Sequence, residues 1–395
     1  MTNRTLQVLI ALTFVSAASF AAKERVIRFQ NHVRIGYDDN IYQTKNATDS
    51  GFITDIINLS AKFNFSSRTD ALVYWEPEFQ YRFDADPEFV SYQNLYAQLN
   101  HALSQRTFLT LSDRFRYQQK DGQSDYASQD NQNYFENDLL GSVDYTLNEV
   151  SFIKLGLGYE FRIWDDSDYG EWQGSAGGGN NYDLFKADGS YFRQLNPEKT
   201  QIMGGVNYGS LTYDGDRGGY DSVTFLVGAD QNFTPTVSGF GRVGYTLTSV
   251  DNAGGGSEDT SSPYLSTGLE VNPSARTSVT TSLGYSLYRS QNSIYNAQDR
   301  FNVTLGARHD ITAKIALSSS LSYIYSYYDG SYALAGSGSN AKDNFVSLGL
   351  RCSYQVNRNN FVELGYLFRT RNVSGNTALN DWDGNRLDAA WRLRL

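Results

Sequence analysis

The chain has 395 residues, with 33 Lys+Arg against 43 Asp+Glu, a formal net charge of -10, one Cys and a mean hydropathy of -0.48. The acidic balance argues against a nucleic-acid partner, which needs a basic footprint, and one cysteine excludes a disulfide framework or a thiolate zinc site. Gly (35), Tyr (29) and Phe (23) are plentiful while Pro is scarce (6), the composition of a strand-forming chain without lipid-spanning helices.

Arg4 supplies a short positive n-region, Leu6 to Val15 an apolar core, and Ser19-Phe20-Ala21 small residues at the -3 and -1 positions. This predicts a signal peptide over 1–21, too short for a spanning anchor, cleaved after Ala21. No cysteine near that position indicates a lipid anchor. Residues 22–395 are then an exported chain, and any membrane insertion must use strands.

From Val26 onward the apolar and polar residues alternate at period 2, the pattern of strands with two different faces. Leu155, Leu157, Tyr159, Phe161 and Ile163 share one face, and Lys154, Gly156, Gly158, Glu160 and Arg162 the other. Further along, Val223, Phe225 and Val227 oppose Thr224, Leu226 and Gly228, and Leu317, Leu321 and Tyr323 oppose Ser318, Ser320 and Ser322.

Short connections at Ser66–Asp70, Ser104–Arg106, Leu147–Glu149, Leu195–Lys199, Thr234–Thr236, Pro273–Arg276, His309–Ala313 and Val356–Asn360 alternate with longer polar loops, among them 119–133, 164–181, 290–297 and 328–342. Eight turns and nine loops join 18 strands. The fold class predicted is all-β, a transmembrane antiparallel up-and-down barrel, its short turns and both termini periplasmic and its long loops outside. A soluble sandwich would need two apolar inner faces. Here one face is Gly, Ser, Thr, Asn and charge, which must meet water in a lumen while the other meets lipid. Closure removes the edges that hydrocarbon could not solvate.

Tyr159, Phe161, Tyr245, Tyr285, Tyr325, Tyr327, Tyr366 and Phe368 fall toward the long-loop ends, and Phe63, Phe65, Phe152, Phe233 and Tyr354 near the short turns, as two interfacial girdles would. The last strand places Leu387, Ala389, Trp391, Leu393 and Leu395 on one face, resembling the terminal strand that barrel-assembly machinery recognises, with Leu in place of the usual final aromatic. Asp113 shares the apolar parity of Leu109, Leu111, Phe115 and Tyr117, which predicts a bulge or register shift in that strand, because a lipid-facing charge is costly. Cys352 reads as a small lipid-facing hydrophobe.

Inward parity assigns to the lumen Arg34, Arg300, Arg308, Arg351, Arg369, Arg371, Arg386, Arg392 and Arg394, from the first strand and the last five. Glu76, Glu78, Glu136, Asp138, Asp144, Glu160, Asp188 and Asp230 come from strands 3 to 10. Two expectations follow: a basic wall facing an acidic one, which would orient solutes and set ion preference, or local cross-strand ion pairs, since Glu363 and Asp388 stand among the arginines. Inward Gly156, Gly158, Gly228, Gly284, Gly306 and Gly365 suggest open space. In loop 164–181, Trp164 and Trp172 are candidates for sugar stacking or a constriction. Asp214-Gly215-Asp216 and Asp381-Trp382-Asp383-Gly384 lack a full calcium ligand set, so no metal and no cofactor is assigned. His32, His101 and His309 all fall low in the barrel, and none can be set beside a serine and an acid, so no enzyme is expected.

The opening strand, Val33-Arg34-Ile35-Gly36-Tyr37-Asp38-Asp39-Asn40-Ile41-Tyr42, resembles the first strand of the putative β-barrel porin 2 family. That resemblance implies an outer-membrane barrel, in a family of which some members accompany exopolysaccharide export. The expected function is a channel passing hydrophilic solutes. The alternatives are an export component working with polysaccharide and its export machinery, and a structural or adhesive barrel. Expected partners are outer-membrane lipid and the barrel-assembly machinery, with no nucleic acid.

Overall fold

The computed structural model describes residues 24–119, 133–164, 181–214, 218–251, 256–290, 295, 297–330, 339–375 and 380–395. The leader expected over 1–21, Trp172 and most of loop 164–181 lie outside these residues. The described chain is a single antiparallel sheet of 18 strands.

In chain order these are β1 (Glu24–Asp38), β2 (Ser50–Ser66), β3 (Thr69–Arg82), β4 (Phe89–Ala102), β5 (Thr107–Gln119), β6 (Asn133–Asn148), β7 (Ser151–Trp164), β8 (Tyr182–Asn196) and β9 (Thr200–Tyr213). The second half adds β10 (Gly219–Thr234), β11 (Val237–Asp251), β12 (Ser257–Ser274), β13 (Thr277–Arg289), β14 (Ala297–Asp310), β15 (Ile315–Tyr328), β16 (Ala341–Gln355), β17 (Asn360–Gly375) and β18 (Trp382–Arg394). Each strand pairs with its chain neighbours, and β1 pairs with β18 from Gln30↔Arg394 to Asp38↔Arg386, closing the barrel. Among the described residues this closure leaves no free edge strand, which is what hydrocarbon demands; strand ends such as 24–28 of β1 and 257–264 of β12 pair on one side alone.

The faces follow the alternation. Leu155 and Leu157 are 56% and 62% exposed on the outside, while Glu160 and Arg162 on the same strand are buried in the lumen. Register shifts cluster beside the short turns, at Asn64/Ser66, Thr146/Asn148, Gln194/Asn196, Asn232/Thr234 and Val271/Ser274. There the extra residue lets the strand bend into the turn.

Two expectations are corrected here. β5 holds one register with both neighbours, Asp113 facing Ala97 and Leu139, so it contains no bulge. Asp113 stands on the outer face, where Asn137 Nδ2 donates to its carboxylate at 2.6 Å. A second such pair, Asn31 Nδ2 to Asp55 at 2.5 Å, lies outward on β1 and β2. Local donors, not a register change, meet these outward carboxylates: amides at Asp113 and Asp55, tyrosine hydroxyls at Asp183 and Asp221. Phe152, expected in the lipid girdle, has the inward parity of Lys154 and stacks on Phe192 at 4.6 Å. Phe233, by contrast, is 62% exposed on the outer face.

Candidate functional site

The lumen wall is the candidate site, and its charges are arranged by cross-strand register. Near the β1–β18 seam, Glu363 on β17 faces Ser353 and Ala390. Its carboxylate collects Arg392 (2.6 Å), Arg351 (3.3 Å) and His32 Nε2 (3.4 Å). Arg351 also reaches Asp388 at 3.1 Å. One layer nearer the long loops, Arg369 pairs with Asp38 at 3.1 Å and Arg371 holds Asp343 through two bonds of 2.9 and 2.6 Å. Fork-to-carboxylate geometry of this kind is the strong form of the ion pair.

Arg34 and Arg386 differ. Among the described residues neither has a carboxylate within ion-pairing distance: Arg34 contacts His32 Nδ1 at 3.2 Å, and the Arg386 guanidinium lies 3.8 Å over the Phe52 ring. Phe52 is fully buried and covers Gly36, where an added Cβ would meet the Leu387 carbonyl at 2.3 Å and the ring at 2.5 Å. Gly36 is therefore required by a close approach, and it puts this aromatic floor under Arg386.

The remaining arginines are dispersed. Arg300 lies 3.9 Å over the Tyr288 ring, Arg308 pairs with Asp310 at 3.0 Å low in the barrel, and Arg394 lies 5.7 Å over Phe361 at the end of the last strand.

The opposite sector carries the acids, and it carries their cations too. Glu136, 1% exposed, is bound by Arg116 and by Arg162, whose Nε donates at 2.9 Å. Lys186 bridges Glu160 (2.5 Å) and Asp138 (3.3 Å), and Arg242 holds Asp230 at 2.7 Å. Tyr182 donates to Glu160 at 2.6 Å, and the Tyr134 ring lies 4.1 Å under Arg162. Glu76 accepts from Asn58 at 3.0 Å and from Tyr74, and Glu78 faces Tyr92 across the ladder. Asp144 stands directly across from Lys154. Asp188 lies across from Gly156, so close that an added Cβ would meet its carboxylate at 2.2 Å. All the lumen candidates thus occupy the inward face, but they form local clusters rather than two unmixed walls.

The inward glycines are not vacant space. Side chains of cross-strand neighbours cover them: Arg242 over Gly228, Asn302 over Gly284, Thr280 over Gly306, and Arg351 with Asp388 over Gly365. Removing a Cβ here makes room for a long side chain to lie along the wall.

Toward the long loops the lumen turns aromatic. Tyr182, Tyr213, Tyr220 and Tyr328 are buried at inward positions, and Tyr295 from the β13–β14 connection packs among them, 5.1 Å from the Tyr328 ring. Tyr213 donates to the Ser290 carbonyl at 3.1 Å and Tyr295 to the Ser339 carbonyl at 2.5 Å. Burial pushes the Tyr295 hydroxyl above its ordinary pKa, so it acts as a neutral donor. The expectation of a polar loop over 290–297 is corrected by these contacts: part of that connection is packed inside the mouth. Tyrosines at inward parity near the outer strand ends were the available signal. Trp164, expected in the loop, is the last residue of β7. Among the described residues no group of three or more His, Cys, Asp and Glu is placed to hold a metal ion.

Comparison with solved structures returns outer-membrane channels of low identity. A BenF-like porin from Pseudomonas fluorescens Pf-5 aligns at 12% identity with a TM-score of 0.51, covering 95% of this chain and 100% of that one. Pseudomonas aeruginosa OccK1 (OpdK) aligns at 13% and 0.50, covering 93% and 99%, and OccK2 (OpdF) from the same organism, in complex with glucuronate, at 11% and 0.50, covering 95% and 99%. At these identities the likeness is one of fold, a closed antiparallel barrel of 18 strands. No curated protein matches. Residues 209–395 match the model of the family described as putative beta-barrel porin 2, the same family that the opening strand resembles from the other end of the chain.

Proposed function

We propose that the barrel is a passive outer-membrane channel for small hydrophilic solutes, with a preference for anions. The observation that carries the reading is the pair Arg34 and Arg386, two lumen guanidinium groups with no carboxylate partner among the described residues, beside a seam cluster already neutralised by Glu363, Asp388 and Asp38. A fixed cation in a pore lining attracts anions. Two solved structures of similar fold contain carboxylates, glucuronate in one and vanillate in the other, which is the solute chemistry this lining suits. No feature of the lumen singles out a polysaccharide. The histidines have structural partners: His101 and His309 each contact a threonine, Thr69 and Thr277, at the short-turn rim, and His32 meets Glu363, which Arg351 and Arg392 also hold. In this reading residues 1–21 are the export leader, and the terminal strand is handed to the barrel-assembly machinery.

Single-channel recording of the refolded protein tests this. The expected result is a stable open conductance whose reversal potential in a salt gradient shows anion preference. R34Q/R386Q should shift that potential toward zero selectivity. A barrel that never conducts overturns the channel, and an unchanged reversal potential in the double variant overturns the role of the two arginines.

A further inference from the structure

One turn sequence occurs three times at the short-turn end: Ser66-Ser67-Arg68-Thr69, Ser104-Gln105-Arg106-Thr107 and Ser274-Ala275-Arg276-Thr277. Its hydrogen bonds repeat as well. In each turn the serine hydroxyl accepts from the arginine backbone N–H, at 3.1, 3.1 and 3.2 Å. The same hydroxyl contacts the threonine hydroxyl at 3.2, 3.0 and 3.1 Å. A side-chain cap of this kind fixes the turn locally. It uses the arginine's backbone only, so the turn does not explain why the side chain is arginine.

Other turns carry the same device with other residues, and two of them also present a cation. Thr312 caps Lys314 at 3.1 Å, and Asn357 caps Asn359 at 3.0 Å beside Arg358. Arg68, Arg106, Arg276, Lys314 and Arg358 are all exposed. Sheet order makes these five turns successive along the rim. They run through the β12–β13, β14–β15 and β16–β17 turns and, across the β18–β1 seam, the β2–β3 and β4–β5 turns. On the rest of the rim Asn148 and Thr234 cap their turns in the same way, but the charge differs: Glu149 and Glu198 stand in the β6–β7 and β8–β9 turns, Glu198 beside Lys199, and the β10–β11 turn is Thr234-Pro235-Thr236. A chain of net charge -10 has gathered a basic arc on one part of one rim.

The position of the arc points to its partner. Exposed apolar residues precede the cations closely in sequence: Leu103 before Arg106, Ile311 before Lys314 and Tyr354 before Arg358. An offset of three or four residues spans at most about 13 Å of extended chain. The cations thus stand just beyond the lipid-facing surface, at the depth of headgroups, where long basic side chains settle.

We propose that this arc binds the phosphate groups of anionic phospholipids in the periplasmic leaflet, giving the barrel a lipid-selective side. Native mass spectrometry of the full-length protein in neutral detergent, titrated with cardiolipin, phosphatidylglycerol or phosphatidylcholine, tests it. The wild type should retain the two anionic lipids over phosphatidylcholine, and lose that preference as salt rises. R68Q/R106Q/R276Q should weaken cardiolipin retention by about two orders of magnitude, at one charge's worth of surface attraction per site, while E149Q/E198Q should not weaken it. Unchanged heat-modifiable mobility will show that the triple variant is folded, as the backbone-only caps require. Equal retention of phosphatidylcholine, or undiminished cardiolipin binding by the triple variant, overturns the proposal. So does a wild type that ignores all three lipids and binds an acidic protein or cell-wall sacculi instead.

Discussion

The seam sector of the lumen, β16 to β18 with β1, and the sector across from it, β6 to β8, handle buried charge in opposite ways. Across the barrel, one acid is enclosed by cations: Glu136, 1% exposed, sits between Arg116 and Arg162, and the latter is roofed by Tyr134 and Tyr182. At the seam the acids are shared. Glu363 serves Arg351, Arg392 and His32, Arg351 has Asp388 in reserve, and Arg34 and Arg386 are left over. A closed cluster mostly stabilises, whereas a cluster with surplus charge also presents a field to whatever passes. On the proposed channel reading, selectivity belongs to the seam and rigidity to the far wall.

Removing the acid of each cluster should separate the two roles. Glu136→Gln leaves two guanidinium groups facing one another, Arg162 with its side chain only 2% exposed. The expected loss is about 3 kcal/mol of unfolding free energy, the ordinary cost of breaking a buried pair. Glu363→Gln should cost less, on the order of 1 kcal/mol, because Arg351 keeps Asp388 and its side chain is 28% exposed. It should instead strengthen anion preference. Denaturant titration by tryptophan fluorescence, alongside reversal potentials for both variants, reads the two effects. A more anion-selective but equally destabilised Glu363→Gln would erase the distinction.

The aromatic floor beneath Arg386 offers a second way to break the comparison. Gly36→Ala must displace Phe52 or the β18 backbone, since the new Cβ would lie 2.3 Å from the Leu387 carbonyl oxygen. The expected cost is about 1–3 kcal/mol, as for other overpacked sites, together with a loss of the selectivity ascribed to Arg386. Wild-type selectivity in a folded Gly36→Ala barrel would show that the Phe52 floor does not position that arginine.

Much of this architecture was legible in the sequence because period-2 alternation encodes the facing of each side chain directly. Strand number, the placement of short turns and the inward parity of Arg34, Arg351 and Arg369 came from it. What parity cannot encode is register: Glu363 and Arg351 are known to face inward from sequence, but only the ladder sets Ser353 opposite Glu363 and so brings Arg351 within reach. The same gap explains the inward glycines. Alternation places Gly365 in the lumen, whereas its covering by Arg351 and Asp388 depends on two neighbouring strands. Tyr295 escaped because a single tyrosine in a polar loop carries no periodic signal.

The outer wall supplies the smallest test, and it concerns where the lumen's rules stop applying. Asp113 and Asn137 form on the lipid face the kind of local polar pair that the lumen uses throughout, but with no water to share the cost. Replacing only Asp113 by Leu strands the Asn137 amide in hydrocarbon, which should offset the gain from losing the charge. Replacing both by Leu should raise stability by about 1 kcal/mol, since a lipid-facing carboxylate is unfavourable and an apolar pair of similar size is not. If the double variant is instead less stable than wild type by urea titration in vesicles, the pair is satisfied by more than itself. Outward polar residues on β1, β2, β5 and β6 would then have to be read as a contact surface rather than as tolerated exceptions to the alternation.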